Sequence, residues 1–325
     1  MISGKNLGSI NSIATANNKR VLIYGHRGAR GLAPENTIPA YHKALEVGVD
    51  YVDMDVGVTK DSVAVVTHDL ALNPNLTRDG AGNWISSKKL LIKDLTWQEL
   101  QTYDVGELKP RTAYALAFPK QKPVVGAHIP NLQEVIKLVK KVAGDEVKFQ
   151  IEIKTDPSHP KFTFSPEQIV KAVVKVLREE KVEEHAELQA FDWRVLQIAQ
   201  KLAPKIATAY LTSQSLTKKM HHQDPKIAGL WGAGFLVKDY DGSIPKMIAQ
   251  LGGKIWGPES KELNKNNASE AHKYNLKIIP WTVNTEREMK RMIDLPVDGI
   301  ITDRPDILRQ VLTNNGYKLP PKFHQ

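Results

Sequence analysis

VLIYGHRGARGLAPENTIPAYHKALEVGVDYVDMDVGVTKDSVAVVTHD, residues 21–69, decides how the rest of the chain is read. It opens on a short β-branched run, 21–25, that ends in His26-Arg27-Gly28. Thr37 can cap a helix through Leu45 and Val47, and Gly48 stands where a glycine stops one. A second apolar run over 50–56 carries Asp53 and Asp55, and a short returning strand over 63–67 closes on His68-Asp69. Strand, helix and strand in such quick succession form the unit from which parallel sheets are built.

The same rhythm resumes downstream. Strands are predicted over 147–153, 187–190, 206–211, 254–256, 276–281 and 299–302. Helix starts fall between them. Asn131 with Glu134, Ser165-Pro166-Glu167-Gln168, and Thr285 with Glu288 are capping-box patterns, and Pro305 opens the last helix. Setting aside the return at 63–67, these are eight strands with a helix available to each. They predict an α/β chain folded as a (β/α)8 TIM barrel. A doubly wound sheet would want the spacing G-x-G-x-x-G, which GHRGARG lacks. From about 70 to 130 the rhythm breaks into turn-rich pieces such as NPNLTRDGAGNW and KPRTAYALAFPKQKP. That is too long for an ordinary connection, so a small inserted subdomain is expected there. The expected organisation is a polar tail over 1–19, a barrel over 20–315 interrupted at 70–130, and a tail over 316–325.

Composition narrows the chemistry. The 325 residues include no cysteine, which excludes disulfides, thiolate nucleophiles and Cys-ligated zinc. No apolar run approaches the roughly 18 residues that span a bilayer, so no stable membrane insertion is expected. The net charge of +9 suits an anionic small molecule. The basic residues are spread along the chain without a nucleic-acid-reading motif, so nucleic acid is not expected as a partner. The first twenty residues lack the apolar core of a secretory signal. Taken literally this implies a cytoplasmic protein, and a processed exported chain is the alternative.

Side chains alternate along a strand, so Asp53 and Asp55 share one face while Val52, Met54 and Val56 take the other. Glu152 and Lys154 make the same kind of pair at the end of the 147–153 strand. Strand C-termini are where barrel active sites are built. Carboxylates buried together raise one another's pKa, and a divalent cation removes the repulsion. All-oxygen donors select a hard ion, Mg²⁺ or Ca²⁺, with Mn²⁺ also allowed. His26 and His68 each end a strand-like run and can act as general acid or base near neutral pH. The other histidines, His42, His159, His221 and His222 among them, are read as surface or loop residues. Arg27 offers the fork that phosphate accepts, and Lys154 can add a point charge. Acyl transfer lacks a G-x-S-x-G elbow, and glycoside hydrolysis would leave the Lys and both His unexplained. Hydrolysis of a phosphate ester remains.

Motifs along nearly the whole chain carry a resemblance. They are H-R-G at 26–28, P-E-N-T at 34–37, D-x-D with T-K-D over 53–61, and H-D at 68–69. Further on stand I-P-N-L-Q-E at 129–134, I-E-I-K at 151–154, Q-A-F-D at 189–192, W-T-V-N at 281–284 and D-G-I-I-T-D-R-P at 298–305. In this order the chain resembles the glycerophosphodiester phosphodiesterases, barrels that hydrolyse deacylated phospholipids to glycerol 3-phosphate and an alcohol. The resemblance implies that His26 and His68 are the acid/base pair and that Asp53, Asp55 and Glu152 hold the cation. It implies that Arg27 and Lys154 grip phosphate, and that Trp281 and Asn284 line the opposite side of the mouth. One position departs from the family: Asp53 stands where Glu is usual, a methylene shorter in reach. The rival readings are a related barrel acting on intact lysolipid or sphingomyelin head groups, and a non-catalytic barrel that only binds phosphate.

Overall fold

The computed structural model describes residues 19–86 and 90–324, so the tail expected over 1–19 lies, but for Lys19, outside the described residues. The strands are β1 (Leu22–Gly25), β2 (Tyr51–Val58), β3 (Ala64–Val66), β4 (Lys148–Ile153), β5 (Ala186–Ala190), β6 (Ala207–Thr212), β7 (Ile255–Pro258), β8 (Lys277–Ile278) and β9 (Gly299–Thr302). Among the described residues, β3 alone runs antiparallel, folding back on β2 as the sequence suggests. The others pair in parallel in the order β8-β7-β6-β5-β4-β2-β1-β9. Closure between β8 and β9 rests on three backbone bonds: Asp298 N to Ile278 O, Ile301 N to Pro280 O, and Val283 N to Ile301 O. Pro280 has no N–H to donate, which explains why β8 is two residues long where the apolar run predicts six.

The helices are α1 (Ile38–Val47), α2 (Trp97–Leu100), α3 (Ala113–Ala117), α4 (Leu132–Ala143), α5 (Pro166–Glu179), α6 (Trp193–Leu202), α7 (Gln214–Met220), α8 (Pro225–Ala228), α9 (Ile244–Gln250), α10 (Lys265–Lys273), α11 (Glu286–Ile293) and α12 (Pro305–Asn314). Their starts follow the capping signals. Thr37 accepts from Ala40 N at the head of α1, and reciprocal capping boxes form at Asn131–Glu134 and Ser165–Gln168. The alternation argument holds along β2. Val52, Met54 and Val56 join the large cluster that also contains Leu45, Ile136 and Val173 from the helices. Asp53 and Asp55 point into the barrel. Its floor is filled by Tyr24, Tyr51, Ala209, Ile255, Ile279 and Ile301, with Tyr24 and Tyr51 stacked at 4.3 Å. Each of the isoleucines contributes roughly 1.5–3 kcal/mol of burial, so the strand ends are held on a rigid frame.

The segment between β3 and α4 has a core of its own. Leu72, Ile92, Leu100 and Ile129 cluster with Val65, and α2 is capped by a Thr96–Glu99 box. Short antiparallel bridges, Ala71 with Leu91 and Arg78 with Asp104, tie it together. The residues after α12, read from sequence as a tail, pack back instead. Tyr317, Leu319 and Phe323 lie against the main core, and Phe323 N donates to Leu45 O at 3.0 Å.

Gly28 makes the tightest demand of the β1–α1 loop. Its φ is +84°, and a Cβ there would stand 2.6 Å from the carbonyl carbon of Ala40 in α1. Gly28→Ala should therefore destabilise the fold by about 2–4 kcal/mol, read as a lower urea midpoint with an unchanged m-value.

Candidate active site

The loop after β1 turns back on itself at once. Arg27 has φ 51° and Asn36 φ 55°, left-handed conformations that cost about 1 kcal/mol each outside glycine. Local bonds hold both. Asn36 N donates to Arg27 O at 3.0 Å, and Tyr41 Oη donates to the Asn36 side chain at 3.0 Å. This folds Arg27, Arg30, Glu35 and Asn36 over the end of β2.

One wall of the barrel mouth is charged. Parallel register sets Asp55 beside Glu152 and Glu152 beside Gln189. Asp55 is 2 % exposed and meets Arg27 Nε at 3.1 Å, Lys154 Nζ at 2.9 Å and Asn36 Nδ2 at 2.8 Å. Lys154 also reaches Glu152 at 2.5 Å, and Arg27 donates to Glu35 at 2.6 Å. Gln189 donates to Asp53 at 2.6 Å. Burial would raise the Asp55 pKa, but Lys154 and Arg27 beside it hold it well below the usual carboxylate range. Asp53 goes the other way: burial pushes it up, and the negative charges of Asp55 and Glu152 push it further. Glu152 is also raised by burial, against the pull of Lys154.

The opposite wall is apolar. Trp281 meets Phe191 edge-on with ring centroids 5.4 Å apart, and Leu211 and Ile301 complete that side. Between the walls lies a cavity of about 190 Å³ that brings together His26, Arg27, Asp53, His68, Glu152, Lys154 and Trp281. A second cavity of about 350 Å³ adjoins it and shares His68, Glu152, Lys154 and Phe191. Of the residues singled out from sequence, two stand behind the cavity: Asp55, which is held by Arg27 and Lys154, and Asn284. Its Nδ2 donates to Asp303 at 2.6 Å, and its Oδ1 accepts from Asp303 N at 2.9 Å.

Asp303 was quoted within a motif but given no role, and it organises the histidine side of the site. It accepts from Arg30 through Nε at 2.9 Å and Nη2 at 3.0 Å, and it bonds His26 Nδ1 at 2.6 Å. Burial would raise the Asp303 pKa, but His26 and Arg30 hold it far below the ordinary value, so it stays ionised. His26 is pushed down to about 4, first by burial and then by Arg30 and Arg27, with Asp303 opposing. A neutral His26 beside an ionised Asp303 donates its Nδ1 proton and leaves the Nε2 lone pair free. His68 makes the matching contact with Asp69 at 2.9 Å, and Asn73 braces Asp69. Glu35, Asn36, Arg30 and Gln189 are the other contributors that sequence reasoning missed.

The donor chemistry fits a hard divalent cation. Five carboxylates, Glu35, Asp53, Asp55, Glu152 and Asp303, face three permanent cations, Arg27, Arg30 and Lys154. Two negative charges are left over; a proton on Asp53 removes one of them, and a divalent ion would offset both. Among the described residues, however, no three His, Asp or Glu side chains are gathered as they would be around an ion. The Lys154 ammonium sits between Asp55 and Glu152.

Comparison with known proteins identifies the family. Residues 26–307 match the model of the glycerophosphoryl diester phosphodiesterase family. A glycerophosphodiester phosphodiesterase of Caldanaerobacter subterraneus subsp. tengcongensis is 29% identical, over 91% of this chain and 100% of its own. A Silicibacter pomeroyi protein assigned by name to the glycerophosphoryl diester phosphodiesterases superposes with a TM-score of 0.80. It is 32% identical, over 94% of this chain and 98% of its own. An Oleispira antarctica phosphodiesterase, solved with the product sn-glycerol-3-phosphate, is 20% identical with a TM-score of 0.64. That alignment covers 90% of this chain and 96% of the Oleispira one, and it adds to the fold alone.

The state of His26 is open to direct measurement. Its native pKa of about 4 lies below the ~6.5 of an unfolded histidine. The unfolded chain therefore takes up the proton first as pH falls. The stabilising effect is complete above about pH 6.5 and is lost as pH falls toward 4. An NMR titration of the His26 ring should show its midpoint near 4, and stability should fall less steeply over this window in His26→Asn.

Proposed function

The chain belongs to the glycerophosphoryl diester phosphodiesterase family, and on that footing we propose that this enzyme hydrolyses glycerophosphodiesters to glycerol 3-phosphate and an alcohol. The observation that carries this reading is one cavity with two histidines, Arg27 and Lys154 on its walls. Such a cavity offers positive charge to a phosphodiester and a proton-transfer group to each of its ester oxygens.

The roles follow from the surroundings of each group. Arg27 and Lys154 bind the phosphoryl oxygens, and their charge counts for more as negative charge builds there, because Arg27 is buried and Lys154 nearly so. Lys154 must turn from its carboxylates toward the phosphate to do so. Neutral His26 presents Nε2 as the base that takes a proton from the attacking hydroxyl, while Asp303 accepts its Nδ1 proton and fixes the tautomer. An adjacent phosphate anion raises the basicity of His26 toward the working range. His68, at the junction with the larger cavity, protonates the departing oxygen as the phosphorus–oxygen ester bond breaks. The apolar wall of Trp281, Leu211 and Ile301 receives the carbon skeleton. A divalent cation, Mg²⁺ or Ca²⁺ or else Mn²⁺, would be held by Asp53, Asp55 and Glu152 and would supply further positive charge for the phosphoryl oxygens. The two uncompensated negative charges support that assignment. Asp53 reaches one methylene less than the glutamate usual at this position, and the Gln189 amide donates to it.

Release of glycerol 3-phosphate from glycerophosphocholine tests the reading. His26→Ala and His68→Ala should each slow turnover by on the order of 10²–10⁴. EDTA should abolish activity, and re-added Mg²⁺ or Ca²⁺ should restore it. Near-normal turnover by either metal-saturated histidine variant overturns the assignment. Asp303→Asn, which leaves the shape intact but offers His26 the wrong partner, should lose roughly 10²–10³ in kcat.

A further inference from the structure

α3 lies on the inserted segment and buries none of its residues; Leu116 is 76% exposed. Packing therefore does not explain its position. Four contacts tie α3 and the residues after it to the barrel, and each lands on the loop that carries Arg27 and Arg30. Tyr114 Oη donates to Glu35 Oε2, and the Phe118 ring lies 4.5 Å from the Arg30 guanidinium. Gln121 Nε2 donates to Arg30 O at 2.7 Å, and Lys122 N donates to Leu32 O at 3.0 Å.

We propose that Tyr114 is a positioning residue for the reaction, acting through Glu35 to fix the Arg27 guanidinium that takes the phosphate. This rests on the phosphate-binding role given to Arg27 above. Glu35 is suited to the relay because its two oxygens are divided. Oε1 accepts from Arg27 at 2.6 Å while Oε2 takes the Tyr114 hydroxyl. Arg27 needs such a hold. It is 7% exposed, its backbone is left-handed, and Arg30 competes for the same carboxylate at 3.8 Å. Without the hydroxyl, Oε2 is released toward Arg30, and Glu35 can rotate away from Arg27. Burial and the neighbouring Glu35 charge raise the Tyr114 pKa, so the phenol remains a donor at any working pH. Nothing in the sequence relates Tyr114 to Glu35, which lie 79 positions apart.

A mutant cycle tests the relay, using wild type, Tyr114→Phe, Arg27→Lys and the double variant. Phenylalanine keeps the ring and its contact with Phe118, whose centroid is 5.5 Å away. Calorimetry with inorganic phosphate and kinetics with glycerophosphocholine are the readouts, with Tm as the structural control. In Tyr114→Phe the phosphate Kd and the KM should rise about five- to tenfold, with kcat changed less and Tm within about 2 °C. In the Arg27→Lys background the same substitution should do nothing more. Wild-type Kd and KM in Tyr114→Phe, or an equal loss in both backgrounds, overturns the proposal. So does a loss of affinity accompanied by a fall in Tm of more than about 5 °C, which marks a structural role. Phosphate affinity is read without turnover. A chain that binds phosphate in a Tyr114-dependent way but releases no glycerol 3-phosphate overturns the proposed reaction and leaves this relay standing.

Discussion

A carboxylate taken out of water costs several kcal/mol unless cations and donors surround it, and Asp55 sits at the centre of the barrel mouth under that constraint. Its partners come from two places. Arg27 and Asn36 arrive from the β1–α1 loop, Lys154 arrives just past the end of β4, and Asp55 itself stands on β2. Satisfying this one group draws the loop down over the barrel and aligns β2 with β4. The two left-handed residues of the loop, Arg27 and Asn36, are tolerated because their side chains are the ones Asp55 requires. Asp303 repeats the pattern on the other side of the mouth, where Arg30, Asn284 and His26 converge on it.

The cavity between these two anchored carboxylates is two-faced. Charged residues from β2 and β4 and the loop face an aromatic and aliphatic wall contributed mainly by the later strands. A phosphodiester has the same division, an anionic centre between carbon arms. The apolar barrel floor beneath, with Tyr24, Tyr51, Ile255 and Ile279, keeps water from below and fixes the strand ends that carry the site. Low dielectric makes every charge in the mouth count for more, in holding the loop as well as in meeting an anion. The inserted segment rests on that same loop, which places it within reach of both Arg27 and Arg30.

Periodicity and capping are local physics, and so the sequence by itself determined most of the frame. Alternation put Asp53 and Asp55 on the inner face of β2, and Thr37, Asn131 and Ser165 marked their helix starts because a cap needs only its next three residues. The break in rhythm after His68 falls on the segment between β3 and α4, and the residues that form its small core, Leu72, Ile92, Leu100 and Ile129, were not legible from it. Local signals also misjudged the extent of β8, where Pro280 interrupts the ladder, and the residues after α12, whose docking depends on a distant helix.

The residues proposed to carry the chemistry could be named from sequence, because His, Arg, Lys and paired carboxylates at strand ends announce themselves. Their partners could not. Asp303 lies 277 positions from His26, Gln189 lies 136 from Asp53, and Tyr114 reaches Glu35 across 79. Asn284 looked like a residue of the mouth, and only the closed barrel turns its amide onto Asp303. Which proton His26 holds, which carboxylate stays ionised and where Lys154 rests are decided by burial and by charges a few ångströms away. Those distances exist only once the barrel has closed.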